Sequence, residues 1–403
     1  MQVTIFPSRA AGTITAPPSK SMAHRLLISA GLAHGQGVVH GIASSEDVLA
    51  TLDCLRALGA EAAYHGGTVR VTGIGGRTAF APATLPCREC GSTLRFFIPL
   101  ALATGAEMRM TGSERLFARN LSVYEAIAAE QGLGYRQDAT GLTLRGPLKS
   151  GTFRVRGDIS SQFISGLLFA LPLLSGDSRI AMTTRVESRP YIDLTLSALR
   201  TFGIQADWVG EDTILVPGGQ QYRPVEATVE GDYSNAAFFA VYNTLGGDVQ
   251  VEGLDPHSLQ GDRVYQQHFP ALVAGHPTID LSDCPDLGPI LMAAAACHHG
   301  ALFTGTRRLR IKESDRVAAM AEELKKFGIC MDVAEDTAEV YGGSLLPPAE
   351  PLCGHNDHRI VMALSTLLTL TGGTVTGAEA VKKSLPDYFD RLLSLGIQME
   401  RGE

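Results

Sequence analysis

The sequence predicts an α/β fold built from α+β repeats, in which one helix-and-strand unit recurs six times and forms two domains of three repeats. The first observation is an apolar segment of about three helical turns that begins at a small polar residue and ends at glycine. Its closing glycines lie at intervals of 70, 71, 70, 54 and 72 residues: Gly35, Gly105, Gly176, Gly246, Gly300 and Gly372. Near-equal spacing of this kind is typical of an internal repeat.

A second helix in each repeat supports the same period. It is amphipathic and ends in an apolar residue followed by glycine: Gly59, Gly132, Gly203, Gly275, Gly328 and Gly396, of which Gly132 and Gly275 are the weaker copies. The shortest interval between these glycines, from Gly275 to Gly328, falls in the same repeat as the shortest interval of the first series, from Gly246 to Gly300. The first helices are apolar on all sides and must therefore be buried on all sides. We expect them at the centre of each domain, with the sheets outside.

Within the first repeat we expect a buried helix from Ser19, a strand near Val38, an amphipathic helix over 47–58, and strands over 62–64 and 69–71. The sixth repeat stops after the first strand of its final pair. The alternating pattern of residues 2–6 predicts that the N-terminus supplies the missing strand. The expected domains are therefore 18–229, and 1–17 together with 230–403.

Composition excludes several classes of function. A net charge of −8 over 403 residues argues against nucleic-acid binding through a broad basic face. No apolar run approaches membrane-spanning length, and the start lacks a signal peptide, so we expect a cytoplasmic protein without a membrane partner. We also expect no nucleic-acid partner and a monomeric protein. Residues 73–76 are not followed by a helix and therefore do not form a dinucleotide loop.

The seven cysteines are expected to be reduced thiols. Cys87 and Cys90 form a CxxC pair, but no second pair stands at zinc-site spacing, and Cys297-His298-His299 is the nearest other candidate. We therefore expect buried or incidental thiols and no metal or cofactor.

The candidate chemistry lies at helix N-termini, where cations are electrostatically unfavourable. Lys20 and Arg25 open the first helix, Arg95 is early in the second, and His358 and Arg359 open the sixth. Solvated charges explain any one of them. Equivalent positions in three repeats predict an anion bound between them.

Other segments at the same edge of the repeats leave alternatives open. Capping of the third helix would be enough to explain Ser160, and capping of the fifth helix would be enough to explain Asp286. Residues 310–316 could form a solvated charged helix face, and Lys383 could belong to a loop before the last helix. Their shared position favours a common site.

Together these segments resemble the EPSP synthases, the 3-phosphoshikimate 1-carboxyvinyltransferases. The motifs occur in family order: 18–21 (Pro-Ser-Lys-Ser) with Arg25, 91–95 (Gly-Ser-Thr-Leu-Arg), 157–162 (Gly-Asp-Ile-Ser-Ser-Gln), 188–191 (Ser-Arg-Pro-Tyr), 312–316 (Lys-Glu-Ser-Asp-Arg), 356–359 (Asn-Asp-His-Arg) and 383–387 (Lys-Ser-Leu-Pro-Asp). The resemblance implies two domains, each of three βαβαββ units. It also implies metal-free transfer of the enolpyruvyl group of phosphoenolpyruvate to the 5-hydroxyl of shikimate 3-phosphate, with release of phosphate.

The resemblance also implies residue roles. The shikimate 3-phosphate ligands would be Lys20, Ser21, Arg25, Ser160, Ser161, Gln162, Ser188, Asp286 and Lys312. The phosphoenolpyruvate ligands would be Lys20, Gly91, Arg119, Gln162, Arg316, Arg359 and Lys383. Asp286 and Glu313 would transfer protons, with Lys20 completing the catalytic set. Two polyanions require such a number of cations, and the addition requires a base and an acid.

Two positions depart from the common family pattern, Glu89 and Arg308, where an asparagine is usual. We hypothesise that the two charges pair, which a double-mutant cycle with glutamine would test. The inhibitor-tolerant forms of the family often carry alanine at the position of Gly91, so the resemblance implies that this glycine makes the protein sensitive to the inhibitor glyphosate. The alternatives are the related transferase acting on UDP-N-acetylglucosamine, and a non-catalytic sugar-phosphate-binding repeat protein. The Lys20-Ser21 start disfavours the first, and Asp286 with Glu313 disfavours the second.

Overall fold

The computed structural model describes residues 1–77 and 79–402, which form two compact units. The central unit comprises Lys20–Glu230, and the terminal unit comprises Met1–Ser19 together with Gly231–Glu403. Each unit has its own hydrophobic core.

The α-helices of the central unit are α1 (Lys20–Leu32), α2 (Glu46–Ala57), α3 (Gly91–Ala103), α4 (Glu114–Phe117), α5 (Ser122–Gln131), α6 (Ser161–Ala170) and α7 (Arg189–Thr201). Those of the terminal unit are α8 (Tyr233–Ala240), α9 (Tyr265–Ala274), α10 (Gly288–Cys297), α11 (Arg316–Lys326), α12 (His358–Thr371) and α13 (Tyr388–Ser394). Short 3₁₀ turns cover Leu171–Leu173, Val241–Leu245, Gly261–Val264, Pro285–Leu287, Arg307–Ile311 and Ala378–Lys383.

The strands up to the middle of the chain are β1 (Gln2–Ile5), β2 (Ala11–Thr15), β3 (Gln36–His40), β4 (Glu61–His65), β5 (Thr68–Thr72), β6 (Ala83–Arg88), β7 (Glu107–Gly112), β8 (Gly134–Asp138), β9 (Gly141–Arg145), β10 (Thr152–Val155) and β11 (Ser178–Met182). The remaining strands are β12 (Asp207–Trp208), β13 (Thr213–Val216), β14 (Glu226–Thr228), β15 (Asp248–Glu252), β16 (Thr278–Asp280), β17 (Ala301–Thr304), β18 (Met331–Val333), β19 (Thr337–Val340), β20 (Leu352–Cys353), β21 (Gly373–Thr376) and β22 (Met399–Gly402).

Each repeat contributes a small sheet. The sheet orders are β14-β3-β5-β4, β6-β7-β9-β8 and β10-β11-β13-β12 in the central unit, and β15-β2, β16-β17-β19-β18 and β20-β21-β1-β22 in the terminal unit. In the second repeat, β6 and β7 are parallel and are connected by the buried helix α3. Strand β9 then pairs antiparallel with both β7 and β8. This is the predicted repeat of alternating helices and strands.

The N-terminal segment completes two sheets of the terminal unit. Strand β1 pairs antiparallel with both β21 and β22, which confirms the strand predicted for the sixth repeat. Strand β2 pairs in parallel with β15 and was missed by the sequence pattern. Residues 253–277, all of them described, contain α9 but no strand hairpin. The missing hairpin explains the one short interval in the repeat period.

The first helix of each repeat is buried, as its composition predicts. In α10 every residue from Gly288 to Ala296 is buried, and α12 is buried from His358 to Thr369. Close packing constrains the central unit at Gly166, where a Cβ atom would lie 2.4 Å from the backbone oxygen of Arg95. This glycine therefore allows α6 to approach α3 closely.

No helix among the described residues is long and apolar enough to cross a membrane.

Candidate active site

Lys20 opens α1, and its charge is compensated by a carboxylate from the next helix. Its Nζ atom lies 2.8 Å from Oδ2 of Asp47, and the two side chains are 15% and 11% exposed. Asp47 belongs to the first turn of α2, where a carboxylate is favourable. Sequence reasoning identified Lys20 but missed Asp47, since its position in the first turn also has this simpler explanation.

Arg25 is buried in α1 and bonds to neutral oxygens. It donates from Nε to Thr195 Oγ1 at 2.9 Å, from Nη1 to the carbonyl of Ser21 at 2.6 Å and from Nη2 to the carbonyl of Tyr191 at 2.8 Å. Burial lowers the pKa of Arg25 to about 10, with the nearby Tyr191 acting in the opposite direction. The guanidinium is thus held in place without being neutralised, which suits an anionic ligand.

Ser188 lies at the start of α7, the helix that carries two of the Arg25 partners. It is buried and adopts a left-handed backbone conformation, with φ at 55°. Such a conformation is unusual for a residue other than glycine and is concentrated at ligand sites. Ser188 thus belongs to the same part of the central unit as Arg25.

Gln162, the second residue of α6, is fixed by the N-terminal part of α3. Its Oε1 accepts from Arg95 Nη1 at 2.7 Å, and its Nε2 donates to Ser92 Oγ at 2.8 Å. Ser160 caps α6 by accepting from the Gln162 amide at 3.3 Å, as the simpler alternative predicted, and Ser161 begins the helix. The sequence identified Arg95 only as a cation at an unfavourable helix N-terminus. The structure shows that it orients Gln162.

Gly91 begins α3 and lies beside Arg119. A Cβ atom at position 91 would lie 2.3 Å from Arg119 Nη1. Arg119 Nε is buried and has no hydrogen-bond partner among the described residues. The sequence linked these two residues only through the resemblance, as ligands of one substrate, and the structure shows that they are neighbours.

The terminal unit contains a second cluster, centred on the fully buried guanidinium of Arg316. It donates to Asp286 Oδ1 at 2.9 Å, to Glu313 Oε2 at 2.8 Å and to Asp357 Oδ2 at 2.9 Å. Burial by itself would lower the pKa of Arg316, but the carboxylates, Asp357 foremost, raise it well above its ordinary value. The alternative of a solvated helix face is therefore wrong for this residue.

Asp286 receives three cations and does not cap a helix. Lys312 Nζ lies 3.3 Å from its Oδ1, and Arg359 Nη2 lies 3.7 Å from its Oδ2. Helix α10 begins with Leu287 at the capping position and no side-chain cap, so the alternative that Asp286 is a simple cap is wrong. Burial lowers the pKa of Lys312, against the opposing effect of Asp286.

Arg359 is 2% exposed and stacks on Phe238, with its guanidinium carbon 5.4 Å from the ring centre. Its Nε and Nη1 atoms are buried and have no hydrogen-bond partner among the described residues. A buried donor without an acceptor is costly, so this side chain has unused capacity for an anion.

Two other residues frame this cluster. Lys383, at the end of a 3₁₀ turn, donates to the carbonyl of Asn356 at 2.8 Å. Asp357 caps α12 by accepting from the Arg359 amide at 2.9 Å and also binds Arg316. Asp357 lies within the motif of residues 356–359, but only the structure shows that it also binds Arg316.

The two departures from the family pattern lie in different units. Glu89 is exposed in the central unit. Arg308 is buried in the terminal unit, with Nη1 3.5 Å from the carbonyl of Ser282. Their pairing stays a prediction.

The sequence matches the family model described as EPSP synthase (3-phosphoshikimate 1-carboxyvinyltransferase) over residues 6–392. The chain belongs to the EPSP synthase family. It is 39% identical to the 3-phosphoshikimate 1-carboxyvinyltransferase of Clostridium kluyveri over 99% of this chain and 98% of that protein. It is 38% identical to the protein of that name from Clostridium novyi, over 98% and 97% of the two chains.

Solved structures agree with the EPSP synthase assignment and with the predicted fold class. The EPSP synthase of Acinetobacter baumannii superposes with a TM-score of 0.78 at 25% identity, over 99% of this chain and 100% of that one. The enolpyruvyl transferase NikO from Streptomyces tendae superposes with a TM-score of 0.77 at 16% identity, over 99% and 98%, which demonstrates the shared fold.

Proposed function

We propose that this EPSP synthase family member transfers the enolpyruvyl group of phosphoenolpyruvate to the 5-hydroxyl of shikimate 3-phosphate and releases phosphate. The observation that carries the proposal on the structural side is Arg359, a buried guanidinium with two donor atoms unused. Such a group is stabilised by a bound phosphate or carboxylate. Full-length similarity to enzymes named for this reaction supplies the identity of the substrates.

Shikimate 3-phosphate is assigned the cation and hydroxyl donors of the central unit, together with Asp286 and Lys312 of the terminal unit. Arg25 is uncompensated by a carboxylate among its bonding partners, and Ser188 lies near its anchoring residues. The full assigned set is Lys20, Ser21, Arg25, Ser160, Ser161, Gln162, Ser188, Asp286 and Lys312. The hydroxyls and the Gln162 amide would recognise polar groups of the sugar-like ring, and the cations would bind its phosphate and carboxylate.

Phosphoenolpyruvate is assigned the residues with unused guanidinium donors. Arg119 and Arg359 each have buried nitrogen atoms without a partner among the described residues. The full assigned set is Lys20, Gly91, Arg119, Gln162, Arg316, Arg359 and Lys383. Because Gly91 has no side chain, the Arg119 guanidinium can occupy the space beside it. Guanidinium groups suit this role because they bind phosphate and carboxylate through paired donors.

Asp286 and Glu313 are assigned the proton transfers. The acceptor oxygen adds to C2 of phosphoenolpyruvate while its proton leaves and C3 gains a proton. Loss of a proton from the resulting methyl group then expels phosphate and restores the double bond. Arg316 binds both carboxylates, so that it fixes the separation of the two groups that exchange these protons. Lys20 would stabilise the negative charge that develops on the departing phosphate.

The direct test measures phosphate release from phosphoenolpyruvate with and without shikimate 3-phosphate. Release must depend on shikimate 3-phosphate, and UDP-N-acetylglucosamine must not replace it. Asp286→Asn and Glu313→Gln should each lower kcat by about 10²- to 10⁴-fold. Glu335→Gln changes an exposed carboxylate and is the matched control, with unchanged kcat expected. Near-normal turnover in Asp286→Asn or Glu313→Gln would remove that residue from the mechanism.

We also propose that the protein acts as a monomer in the cytoplasm. Sedimentation equilibrium would test the first statement, because a dimer would double the measured mass from 42.8 kDa.

A further inference from the structure

A group of potential ligand atoms in the central unit includes the carboxylate of the Lys20–Asp47 ion pair. A ring nitrogen of His24, a carboxylate oxygen of Asp47 and the Sγ atom of Cys90 all lie within 4.8 Å of one another. The three residues come from α1, from α2 and from the capping position of α3. All three are buried, at 1%, 8% and 1% exposure.

His24 has a nitrogen that its surroundings do not use. Its Nδ1 atom lies 2.7 Å from Thr51 Oγ1, which in turn lies 2.8 Å from Thr93 Oγ1. Its Nε2 atom is buried without a hydrogen-bond partner among the described residues. Burial, with Lys20 and Arg25 nearby, lowers the pKa of His24 well below its ordinary value. An Nδ1–H bond from a neutral His24 ring to Thr51 would leave a lone pair on Nε2, as in metal-binding histidines.

The other two residues supply oxygen and sulfur. Asp47 Oδ2 lies 2.8 Å from Lys20 Nζ, and Cys90 Sγ accepts from the Thr93 amide at 3.3 Å. Burial raises the pKa of the Cys90 thiol. Nitrogen, oxygen and sulfur together form the ligand set of a borderline divalent ion such as Zn²⁺, whereas Mg²⁺ and Ca²⁺ prefer oxygen alone.

We propose that His24, Asp47 and Cys90 form a binding site for one borderline divalent cation, with Zn²⁺ as its best-matched ion and a fourth position open. On binding, the S–H bond of Cys90 breaks, its proton passes to solvent and a sulfur–metal bond forms. The two anionic ligands then balance the charge of the ion. The Lys20 side chain, which is 15% exposed, marks the route of entry.

The metal competes directly with Lys20 for Asp47. A cation that takes the carboxylate removes the partner of the lysine and adds a repulsive charge beside it. The site therefore differs from a resident cofactor site, since the metal-free state is already stabilised by the Lys20–Asp47 pair. This inference departs from the sequence-based expectation that the CxxC cysteines are incidental.

A second cluster of metal-ligating residues, in the terminal unit, is less suited to a metal. It consists of Glu322, Glu323 and His355, whose ligand atoms also lie within 4.8 Å of one another. His355 Nε2 is already bonded to Glu323 Oε1 at 3.1 Å, and Lys326 binds the same carboxylate at 3.1 Å. It therefore offers no free nitrogen comparable to that of His24, but it provides control positions.

The test titrates the full chain, under reducing conditions, with Co²⁺ as a spectroscopic probe and with Zn²⁺ in competition. We expect one equivalent of Co²⁺ to produce a thiolate-to-cobalt absorption band that Zn²⁺ abolishes and Mg²⁺ does not. Cys90→Ser should remove the band, and His24→Asn should weaken binding about tenfold or more. Serine is a favourable helix cap, and the asparagine amide can replace the Nδ1–H bond to Thr51, so both variants should fold.

The controls are Cys353→Ser, which changes an exposed cysteine, and His355→Asn, which disrupts the second cluster. Both should keep the band and the affinity of the unchanged protein. Absence of the band in the unchanged protein, a Cys90→Ser variant that retains it, or its loss in either control would overturn the proposal. The assay measures binding without substrates, so its outcome is independent of the proposed reaction.

Discussion

At the scale of single residues, the glycine at position 91 determines where the guanidinium of Arg119 can lie. The two residues are 28 positions apart in the chain, yet no room for a Cβ atom exists between them as the structure stands. The clash would involve only the end of a flexible side chain, which can move away. A methyl group at position 91 should therefore displace Arg119 without disturbing the fold.

Gly91→Ala is thus expected to raise the KM for phosphoenolpyruvate by about tenfold or more, the cost of about 1.4 kcal/mol in lost guanidinium contact. The KM for shikimate 3-phosphate and the melting temperature should change little. Steady-state kinetics with each substrate varied separately checks this split.

The control variant for that experiment is Gly275→Ala, because a Cβ atom there would meet no neighbour within 4 Å. Its kinetic constants should match those of the unchanged protein. Equal KM values for phosphoenolpyruvate in Gly91→Ala and Gly275→Ala would contradict the assigned role of Arg119.

At the scale of elements, a buried carboxylate joins α11 to the segment before α12. Glu323 has a fully buried side chain, accepts from the Cys353 amide at 3.0 Å and lies 3.1 Å from His355 Nε2. The bond to Glu323 raises the pKa of His355. Burial would raise the pKa of Glu323, but His355 and its other donors lower it below its ordinary value.

The two shifts define the pH range in which the pair stabilises the fold. The contribution of His355 is complete below the ordinary pKa of histidine, about 6.5, and is lost as the pH rises through its higher folded value. The contribution of Glu323 is present above about pH 4.5 and is lost as the pH falls through its lower folded value. The pair is therefore strongest between these limits.

His355→Gln should lower the free energy of unfolding by about 1 to 2 kcal/mol near pH 5.5, since a charged hydrogen bond to a buried carboxylate is lost. Near pH 8.5, where a histidine has largely released its proton, the loss should be smaller. Urea denaturation of both proteins at the two pH values measures the difference. A loss that is equal at both, or larger at the higher value, would show that the ionic pair does not contribute as described.

For the whole molecule, both ends of the chain contribute to one sheet. Strand β1 lies between β21 and β22, so that the N-terminus completes a repeat whose other strands begin only at Leu352. The terminal unit therefore depends on both termini. The residues assigned to the substrates are likewise divided between the central and the terminal unit.

The charges along the chain predict that shikimate 3-phosphate draws the two units together. Segments rich in cations occur in both units, so we expect repulsion between them without a ligand, and a polyanion would reverse the sign of that interaction. We expect a smaller radius of gyration at saturating shikimate 3-phosphate, with tighter binding of phosphoenolpyruvate afterwards. Small-angle scattering measures the first effect, and sulfate at equal ionic strength is the control. An unchanged radius would support a site that needs no such movement.

The buried helices and the cations at helix starts could be predicted from the sequence, because each is a local pattern within one or two helical turns. The repeat period could also be predicted, because the same local pattern recurs at near-equal intervals. The sequence also predicted β1 as the missing strand, since an incomplete repeat requires a partner. Strand β2 had no such signal. The contacts that define the candidate sites depend on packing between distant segments: Arg316 meets Asp357 across 41 residues, and Lys20 meets Asp47 across 27. Only the tertiary structure decides which carboxylate each buried cation meets, and which nitrogen of His24 is left free, because neither is encoded in a local pattern.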